Sequence, residues 1–241
     1  ECTNKVVLPR GVPPVINGFD LNAVEAALRL RDVGHDVEIT VMSAGNDFVM
    51  EVMKKPLAMG ADRLVLIDES GIDMLDSTAT VKVLGAAIEK DGPFDLILGG
   101  RQASDWDQGH VIFGLAEIIG LPLVSLVQKL DMSDDRIQMQ RVITDGFQVV
   151  TAHIPSMITI TNELGEPRYP NLRGIMQASR KQPEVLSLAD IGLSSDDLIP
   201  KLQLTRLYIP ESNLQVELID GEDEPDAGKN LALRLREEKL I

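Results

Sequence analysis

The sequence predicts an α/β fold with a mostly parallel sheet and helices on its faces. Short apolar runs alternate along the chain with amphipathic stretches of helical length, which is the pattern of repeated βαβ units. Runs such as Leu64–Ile67 are apolar throughout, as expected of strands buried on both faces. Aromatic residues make up only 3% of the chain, so the core has to be built from aliphatic residues and methionine.

The first half of the chain contains three predicted helices and three predicted strands. Asp20 is placed to cap the first helix, Gly34 to end it, and Asp76 to cap the third. Pro56 is expected to end or kink the second helix early. In chain order the elements are helix Leu21–Leu30, strand Val37–Met42, helix Phe48–Met59, strand Leu64–Ile67, helix Ser77–Lys90 and strand Phe94–Leu98.

The second half adds one helix and four strands, two of which form a predicted hairpin. Asp145-Gly146 separates two strand-like runs, and this dipeptide is typical of β-hairpin turns. The sheet is therefore predicted to be mixed. In chain order the elements are the loop Gly99–Gly109, helix His110–Ile119, strand Leu123–Val127, the hairpin strands Ile137–Ile143 and Phe147–Ala152, and strand Met157–Thr161.

The composition changes after Tyr169. Prolines at positions 170, 183, 200, 210 and 225 interrupt a polar stretch with few periodic segments, and residues 211–241 carry nine acidic and four basic residues. Only Ala232–Leu240 resembles a helix. We therefore expect an α/β domain over residues 1–185 and, over residues 186–241, an extended arm that wraps a partner.

Charge and hydropathy exclude several classes of protein. With 23 Lys and Arg against 38 Asp and Glu, the net charge of −15 argues against binding to nucleic acid or to an anionic membrane surface. No apolar run approaches the roughly 20 residues of a membrane span. A single cysteine, Cys2, favours a reducing compartment, so the cytoplasm is expected. The first residue is not Met, which suggests that the natural chain begins earlier.

Common catalytic motifs are absent from the sequence. It contains no GxSxG nucleophile motif, no GxxxxGK[ST] phosphate loop and no GxGxxG fingerprint. The three histidines, His35, His110 and His153, lie far apart and outside any cluster with metal-ligand spacing, so no metal site is expected. Acidic pairs such as Asp105 and Asp107 are more simply explained as a solvated loop or helix cap in so acidic a chain.

The segment after the strand Phe94–Leu98 carries the strongest functional pattern. It runs from the strand through Gly99-Gly100-Arg101 and a polar loop into the next helix. At the carboxyl end of a parallel strand, such a loop can direct backbone N–H groups and the positive end of a helix dipole at one phosphate. Arg101 adds a fixed positive charge. The residues alone leave two interpretations open: a phosphate loop and an ordinary βα connection.

Four segments together resemble the beta subunit of electron transfer flavoproteins. They are NGFDLNAVEAA at residues 17–27, GADR at residues 60–63, GRQASD at residues 100–105 and NELGEPRYP at residues 162–170. The resemblance extends over nearly the whole chain in order. It implies an adenine-nucleotide-binding fold of the adenine nucleotide alpha hydrolase-like type. It also implies a heterodimer with an alpha subunit that holds the redox FAD, and AMP or a second FAD in the beta subunit.

The resemblance also assigns nucleotide contacts to this sequence. They fall at the start of the first helix, just after the strand Val37–Met42, and in the glycine-containing loop. The implied contacts are Asn17, Gly18, Phe19, Asp20, Ala44, Gly100, Arg101, Gln102, Ala103, Ser104, Asp105, Trp106, Asp107, Gln108, Gly109, His110 and Val111. A preceding strand that contributes another adenine contact in the family is not found in this sequence.

A second implied site binds the partner flavoenzyme. The family docks its dehydrogenases through a loop that follows a segment matched here by NELGEPRYP. That loop corresponds to residues 168–177, with Leu172 as the anchor. An exposed leucine in such a loop can fill a pocket without a large interface. Local packing of Leu172 is the alternative role. The implied partner-binding residues are Arg168, Tyr169, Leu172, Ile175 and Met176.

The glycine-containing loop departs from the common family pattern. His110 and Ile112 stand where many members have Gln and Gly, and Trp106 stands where others have Asp or Gly. A Trp can stack on a ring or close a pocket, so AMP and FAD both remain candidates for the beta site. The GRQASD version resembles the bifurcating and anaerobic members, which favours FAD and makes NADH a candidate donor.

Two functions of different classes follow from the sequence. The first is a redox carrier that exchanges electrons with acyl-CoA dehydrogenases, or with NADH, and needs no acid, base or nucleophile of its own. The second is a non-redox adenine-nucleotide sensor or scaffold subunit. An ATP-using ligase or pyrophosphatase on a similar fold would need a Ser-Gly-Gly phosphate loop, which this chain does not have.

Overall fold

We describe the protein from a computed structural model that covers residues 11–70, 76–133, 135–208, 211 and 214–241. Contacts divide the chain into two units. The larger unit extends to Thr205, and the smaller one contains Arg206–Ile241. The boundary expected between residues 185 and 186 lies earlier in the chain than this division. Nothing in the described residues forms a helix that is both long and apolar enough to cross a membrane.

Helices and strands alternate through the first half of the larger unit, as predicted. Pro56 lies at the second position of a short helix, where its missing N–H costs nothing, so the helix predicted over Phe48–Met59 is divided at Lys54. The elements are α1 (Gly18–Asp32), β1 (Thr40–Gly45), α2 (Met50–Met53), α3 (Lys55–Met59), β2 (Arg63–Asp68), α4 (Ser77–Asp91) and β3 (Leu96–Gly100).

The second half contains the predicted hairpin and two elements that the sequence did not predict. Those two are the helix α6 and the short strand β8. The elements are α5 (Val111–Ile119), β4 (Leu123–Ser133), β5 (Arg136–Ile143), β6 (Gly146–His153), β7 (Ser156–Ile160), α6 (Leu172–Arg180) and β8 (Glu184–Leu186). In the smaller unit, α7 (Glu224–Glu237) replaces the shorter helix predicted over Ala232–Leu240.

The strands form two sheets among the described residues. One is parallel throughout, in the order β1-β2-β8. The other has the order β3-β7-β4-β5-β6, in which β3, β7 and β4 run parallel and the hairpin β5–β6 is antiparallel to β4. The predicted mixed character is therefore confirmed, as is the α/β class with a mostly parallel sheet flanked by helices.

Helices cover both faces of the strands. On β2, Leu64 and Leu66 pack with α1 and α3, whereas Val65 and Ile67 pack against α4 on the opposite face. The same α1 contributes small residues to a third cluster around Ile158 in β7, and α4 and α5 cover the other face of that strand. The period-two alternation along each strand thus sends side chains to helices on both sides.

Residues beyond 185 belong to the core of the larger unit. Leu186, Leu188 and Leu198 are buried in the same cluster as Val65 and Ile67. Asp76 caps α4 by accepting the Thr78 N–H at 3.0 Å, and its other carboxylate oxygen accepts the Lys201 N–H at 2.7 Å. Burial opposes the charged form, but these N–H groups hold the pKa of Asp76 below its usual value.

Candidate functional site

The start of α1 and the loop between β3 and α5 are joined by direct hydrogen bonds. We call residues 101–110 the β3–α5 loop. The Gly100 N–H donates to Oδ1 of Asp20 at 2.7 Å. The Asn17 side-chain amide donates to Oδ2 of Asp20 at 2.8 Å and to the Gln102 carbonyl at 2.8 Å. Two segments that the sequence assigned to one nucleotide site are therefore in contact.

Gly100 is required by this close approach. A Cβ at position 100 would lie 2.7 Å from the carbonyl carbon of Phe19 and 2.8 Å from the backbone nitrogen of Asp20. Both neighbours are backbone atoms that cannot move aside cheaply. Glycine therefore allows the end of β3 to lie directly against the first turn of α1.

Asn17 leaves one acceptor for a ligand. Both hydrogens of its amide group are used by Asp20 and Gln102, which fixes the orientation of the side chain. Its Oδ1 atom is buried and has no hydrogen-bond partner among the described residues. A buried polar atom of this kind is costly unless a ligand or water completes it. The missing partner has to be a donor, such as an amino or hydroxyl group.

Arg101 supplies the positive charge of the loop. Its guanidinium lies 5.4 Å from the centre of the Phe19 ring, within cation–π range, and its Nε donates to the Gln102 side chain at 3.1 Å. Its backbone N–H donates to the Ile160 carbonyl at 3.0 Å, which ties the loop to the end of β7. The charge is thus held over the first turn of α1.

The remainder of the loop is closed by bonds within itself. The Ala103 N–H donates to the Gln108 carbonyl at 2.8 Å, and the Gln102 amide donates to Asp107 at 2.8 Å. Asp107 has a positive φ of 52°, which its short side chain tolerates. Trp106 is 41% exposed at the tip of the loop. A tight turn thus directly precedes α5.

The start of α5 has no side-chain cap. His110 occupies the capping position, but its imidazole makes no capping hydrogen bond. The first-turn N–H groups from Val111 onward therefore lack the partner that a Ser, Thr, Asp or Asn cap provides. The N-terminus of α5 and Arg101 belong to the same short loop, which is the arrangement that favours an anion.

Three further residues predicted for this site, Ala44, Ser104 and Gly18, make none of the hydrogen bonds described above, whereas Phe19 takes part through its ring and its backbone. Ala44 is buried within β1, paired with Ile67, and its side chain packs in the core rather than following the strand. Ser104 and Phe19 line a cavity of about 420 Å³, which extends to Asn162 and Tyr169. Gly18 is the first residue of α1 and lines the same cavity.

The carboxylate of Glu163 lies near the charge of Arg101, although the sequence did not indicate it as part of this site. The Thr161 hydroxyl, the backbone N–H of Glu163 and the charge of Arg101 together hold the pKa of Glu163 below its usual value. Glu163 follows β7, whose last residue, Ile160, pairs with Gly100. Its position within the NELGEPRYP segment was the only signal available in the sequence.

The second predicted site lies on a helix rather than a loop. Residues 165–181, which we call the α6 segment, contain the helix α6. Its N-cap Asn171 accepts the Gly174 N–H at 2.8 Å. Leu172 is 80% exposed and Tyr169 is 89% exposed. Ile175 and Met176 are also exposed, so the helix presents apolar side chains to solvent.

The opposite face of α6 packs on α3. At Gly174 a Cβ would lie 2.3 Å from the Ala58 carbonyl oxygen, and Ala178 is buried in the α1–α3 cluster. The Lys181 ammonium donates to the carbonyls of Ala61 and Asp62 at 3.1 and 2.9 Å. Small residues thus bring the helix close to the domain, while its large side chains point away from it.

Arg168 holds the start of the α6 segment. It donates to the buried carboxylate of Glu25 through Nε at 2.8 Å and to Asp32 at 2.5 Å. Burial alone would raise the pKa of Glu25, but its bonds to Arg168 and Arg29 hold that pKa below its usual value. Among the predicted partner-binding residues, Arg168 therefore has a role within the fold.

Among the described residues, no group of three or more His, Cys, Asp or Glu is placed to hold a metal ion. His110 and the exposed His153, which contacts Asp135 at 3.2 Å, lie on different elements. The geometry offers hydrogen-bond donors, the unpaired Asn17 Oδ1 acceptor, a guanidinium and a helix N-terminus.

The chain matches the family described as "Electron transfer flavoprotein domain" over residues 5–191, and it belongs to that family. It is 32% identical over 98% of its length to "Caffeyl-CoA reductase-Etf complex subunit CarD" of Acetobacterium woodii, of which 91% is covered. It is 33% identical to the "Electron transfer flavoprotein subunit beta" of Thermoanaerobacterium thermosaccharolyticum, with 100% and 93% of the two chains covered. It is also 33% identical to the protein of the same name from Bacillus subtilis, with 96% of this chain and 90% of that protein covered. The predicted resemblance to the beta subunits is confirmed.

Proposed function

We propose that this chain is the beta subunit of an electron transfer flavoprotein, which pairs with an alpha subunit and carries electrons between flavoenzymes. The observation that carries the proposal is the junction of α1 with the β3–α5 loop. At that junction the buried Asn17 Oδ1 atom has no donor within the part of the chain that the structure describes, and Arg101 lies over Phe19. The similarity to curated beta subunits over nearly the whole chain supports the same conclusion.

The two kinds of group at this junction suit different parts of an adenine nucleotide. The unpaired Asn17 oxygen accepts from a hydroxyl or amino group, which the ribose and adenine carry. Arg101 and the uncapped N–H groups of α5 suit the phosphates. FAD and AMP both fit this set. When bound, FAD supplies the redox chemistry. These residues bind and orient the nucleotide.

We place FAD in the beta site, with AMP as the alternative. The GRQASD sequence resembles the bifurcating and anaerobic members, and one relative is named as a subunit of a caffeyl-CoA reductase complex. On this proposal NADH is an electron donor and the carrier bifurcates electrons. A cytoplasmic location is part of the proposal and rests on the single cysteine and the absence of a long apolar run in the sequence.

The exposed apolar face of α6 is the proposed docking surface for an acyl-CoA dehydrogenase-type flavoenzyme. Leu172, Ile175 and Met176 are 80%, 50% and 60% exposed, and they lie three and four residues apart on one helix. Side chains at that spacing share a face. A small apolar plug of this kind can anchor a transient complex without a large interface.

The smaller unit is the proposed contact with the alpha subunit. Leu214, Val216 and Leu218 alternate along an extended stretch and are each more than 80% exposed, and α7 buries none of its residues. Apolar side chains with this exposure favour an arm that is covered by another chain. On this proposal the arm is the smaller unit, which starts at Arg206, rather than the whole of residues 186–241.

Cofactor content tests the proposal directly. The chain is co-purified with its alpha subunit, the complex is denatured, and the released nucleotides are identified by mass and counted per heterodimer. Two FAD support bifurcation and lead to an NADH oxidation assay. One FAD and one AMP make the beta nucleotide structural and the protein a one-flavin carrier. A complex without flavin contradicts the carrier function and leaves the nucleotide-sensor alternative.

A further inference from the structure

A single buried carboxylate fastens the α6 segment to α1. Glu25 is 4% exposed, and its two oxygens accept four hydrogen bonds. Oε2 accepts from the Arg168 backbone N–H at 3.2 Å and from its Nε at 2.8 Å. Oε1 accepts from Nη2 of Arg168 at 3.1 Å and from Nε of Arg29 at 2.9 Å. Both the backbone and the side chain of residue 168 are thereby fixed.

Neighbouring residues of α1 extend this contact along one stripe of the helix. Asn22, Glu25, Arg29 and Asp32 are spaced by three, four and three residues, which places them on the same face. Asn22 donates to the Gly165 carbonyl at 2.7 Å, and Arg29 donates to the Leu164 carbonyl at 2.8 Å. The chain just before α6 is therefore held by α1 at three successive points.

This arrangement has a consequence for Leu172, which lies four residues after Arg168. Because the Leu172 side chain is 80% exposed, packing of its own does not set its position. Its direction is set by Arg168 on one side and by the contact of Gly174 with Ala58 on the other. A docking residue held in advance loses less conformational entropy on binding than one on a free loop.

We propose that Glu25 is a positioning residue for partner docking: through Arg168 it holds the α6 segment so that Leu172 is presented in its binding orientation. The inference rests on the proposed docking function of α6. Glu25 is 4% exposed, so its carboxylate acts through Arg168 rather than through a surface of its own. Removing the charge of Glu25 leaves Arg168 with a weaker acceptor at that position and with Asp32 as its remaining carboxylate partner.

The test compares Glu25→Gln with wild type in the complete heterodimer. The assay is reduction of the heterodimer by an acyl-CoA dehydrogenase in the presence of its acyl-CoA, with the heterodimer as the varied substrate. We expect KM to rise about 5- to 10-fold, corresponding to weaker binding, while kcat stays within about twofold. Glu89→Gln is the matched control, because Glu89 is exposed on α4 away from this stripe, and it should leave KM unchanged.

A double-mutant cycle separates positioning from general weakening of the fold. If Glu25 acts through Leu172, adding Glu25→Gln to Leu172→Ala should raise KM less than about twofold further. An undiminished effect of Glu25→Gln in that background overturns the inference, as does an unchanged KM for Glu25→Gln alone. In the latter case a raised KM for Leu172→Ala leaves the docking function in place. An unchanged KM for Leu172→Ala contradicts both the docking function of α6 and the positioning role of Glu25.

Arg168→Lys provides a second, milder variant if Glu25→Gln does not assemble. Lys keeps the charge but has no guanidinium fork, so it cannot bond both oxygens of Glu25 and Asp32 together. We expect about a threefold rise in KM with unchanged nucleotide content. An unchanged KM for this variant, with normal assembly, overturns the inference in the same way.

Discussion

The β3–α5 loop and the α6 segment both contact α1, but they use their polar groups in opposite ways. Near the loop, the buried Asn17 Oδ1 atom finds no partner in the described ranges of the chain, and His110 does not cap α5. In the α6 segment, the Arg168 and Lys181 side chains donate hydrogen bonds to acceptors within the fold. The first region therefore suits the small ligand proposed for it, and the second suits the proposed protein partner.

This difference explains where each region can tolerate change. A nucleotide needs donors and acceptors at fixed positions, so the loop depends on a close backbone approach at Gly100. A protein partner needs a pocket-filling side chain, so α6 depends on a firmly held helix whose apolar residues are dispensable for folding. Variants can therefore separate nucleotide retention from partner binding.

The largest expected effect comes from Gly100→Ala. The new methyl group would lie 2.7 Å from two atoms of Phe19 and must push the β3–α5 loop away from α1. We expect a loss of about 1–3 kcal/mol in the free energy of unfolding, as for other overpacked sites. Nucleotide per heterodimer, measured after denaturation, should fall by at least about tenfold.

Gly228→Ala is the control for that substitution. Gly228 lies in α7, and a Cβ there would meet no atom within 4 Å. Because alanine is the better helix former, the beta chain of this variant should be at least as stable as wild type. Since α7 belongs to the proposed contact with the alpha subunit, its nucleotide content is compared only in heterodimer shown to assemble normally, where it should equal that of wild type. Full nucleotide content in Gly100→Ala would mean that the contact of the loop with α1 does not build the site.

Leu172→Ala should affect only the second region. The side chain is 80% exposed, so the free energy of unfolding and the nucleotide content should stay the same. Loss of an anchor residue should raise KM in reduction by an acyl-CoA dehydrogenase about 5- to 30-fold. Leu202→Ala, which removes a 53% exposed leucine elsewhere in the larger unit, should change nothing. Equal effects of the two variants would contradict a specific docking role.

Arg101→Ala should produce a smaller effect on the first region. Its guanidinium lies over Phe19 and contributes charge rather than packing. We expect a 3- to 10-fold loss of nucleotide affinity, typical of a partly exposed charge-assisted contact, with unchanged KM for the dehydrogenase. The measurement is retention of nucleotide during dialysis at increasing salt. Lys129→Ala, which removes an exposed cation from β4, is the control; if it matches Arg101→Ala, the loss reflects net charge alone.

Local sequence patterns predicted most of the first region. Strand β3, the glycine-containing loop and α5 follow one another in the chain, and their apolar periods and turn residues are ordinary. The bond from Gly100 to Asp20 joins residues 80 positions apart, so only the family resemblance connected them. Glu163 is brought within reach of the Arg101 charge because β7, which precedes it, pairs with β3, and no local pattern encodes that pairing.

Helix α6 was missed because its hydrophobic pattern is reversed. A surface helix is recognised by a large apolar face that is buried. In α6 the buried face consists of Gly174 and Ala178, and the large residues Leu172 and Ile175 are exposed. Strand β8 has three residues and is too short for its period to be seen. The Glu25–Arg168 pair, which joins residues 143 positions apart, has no sequence signal of its own.

The smallest predicted effect concerns pH and the fastening of α6. The pKa of Glu25 is lower in the folded protein than its ordinary value of 4.5, so its contribution to stability is present above that pH and is lost as the pH falls through the folded pKa. The difference in unfolding free energy between wild type and Glu25→Gln should be about 1 kcal/mol at pH 7. It should shrink below about pH 4.5. Urea titrations at several pH values measure it. A difference that stays constant down to pH 3 would show that the charge of Glu25 does not hold Arg168, and the contrast between the two regions would then depend on apolar exposure alone.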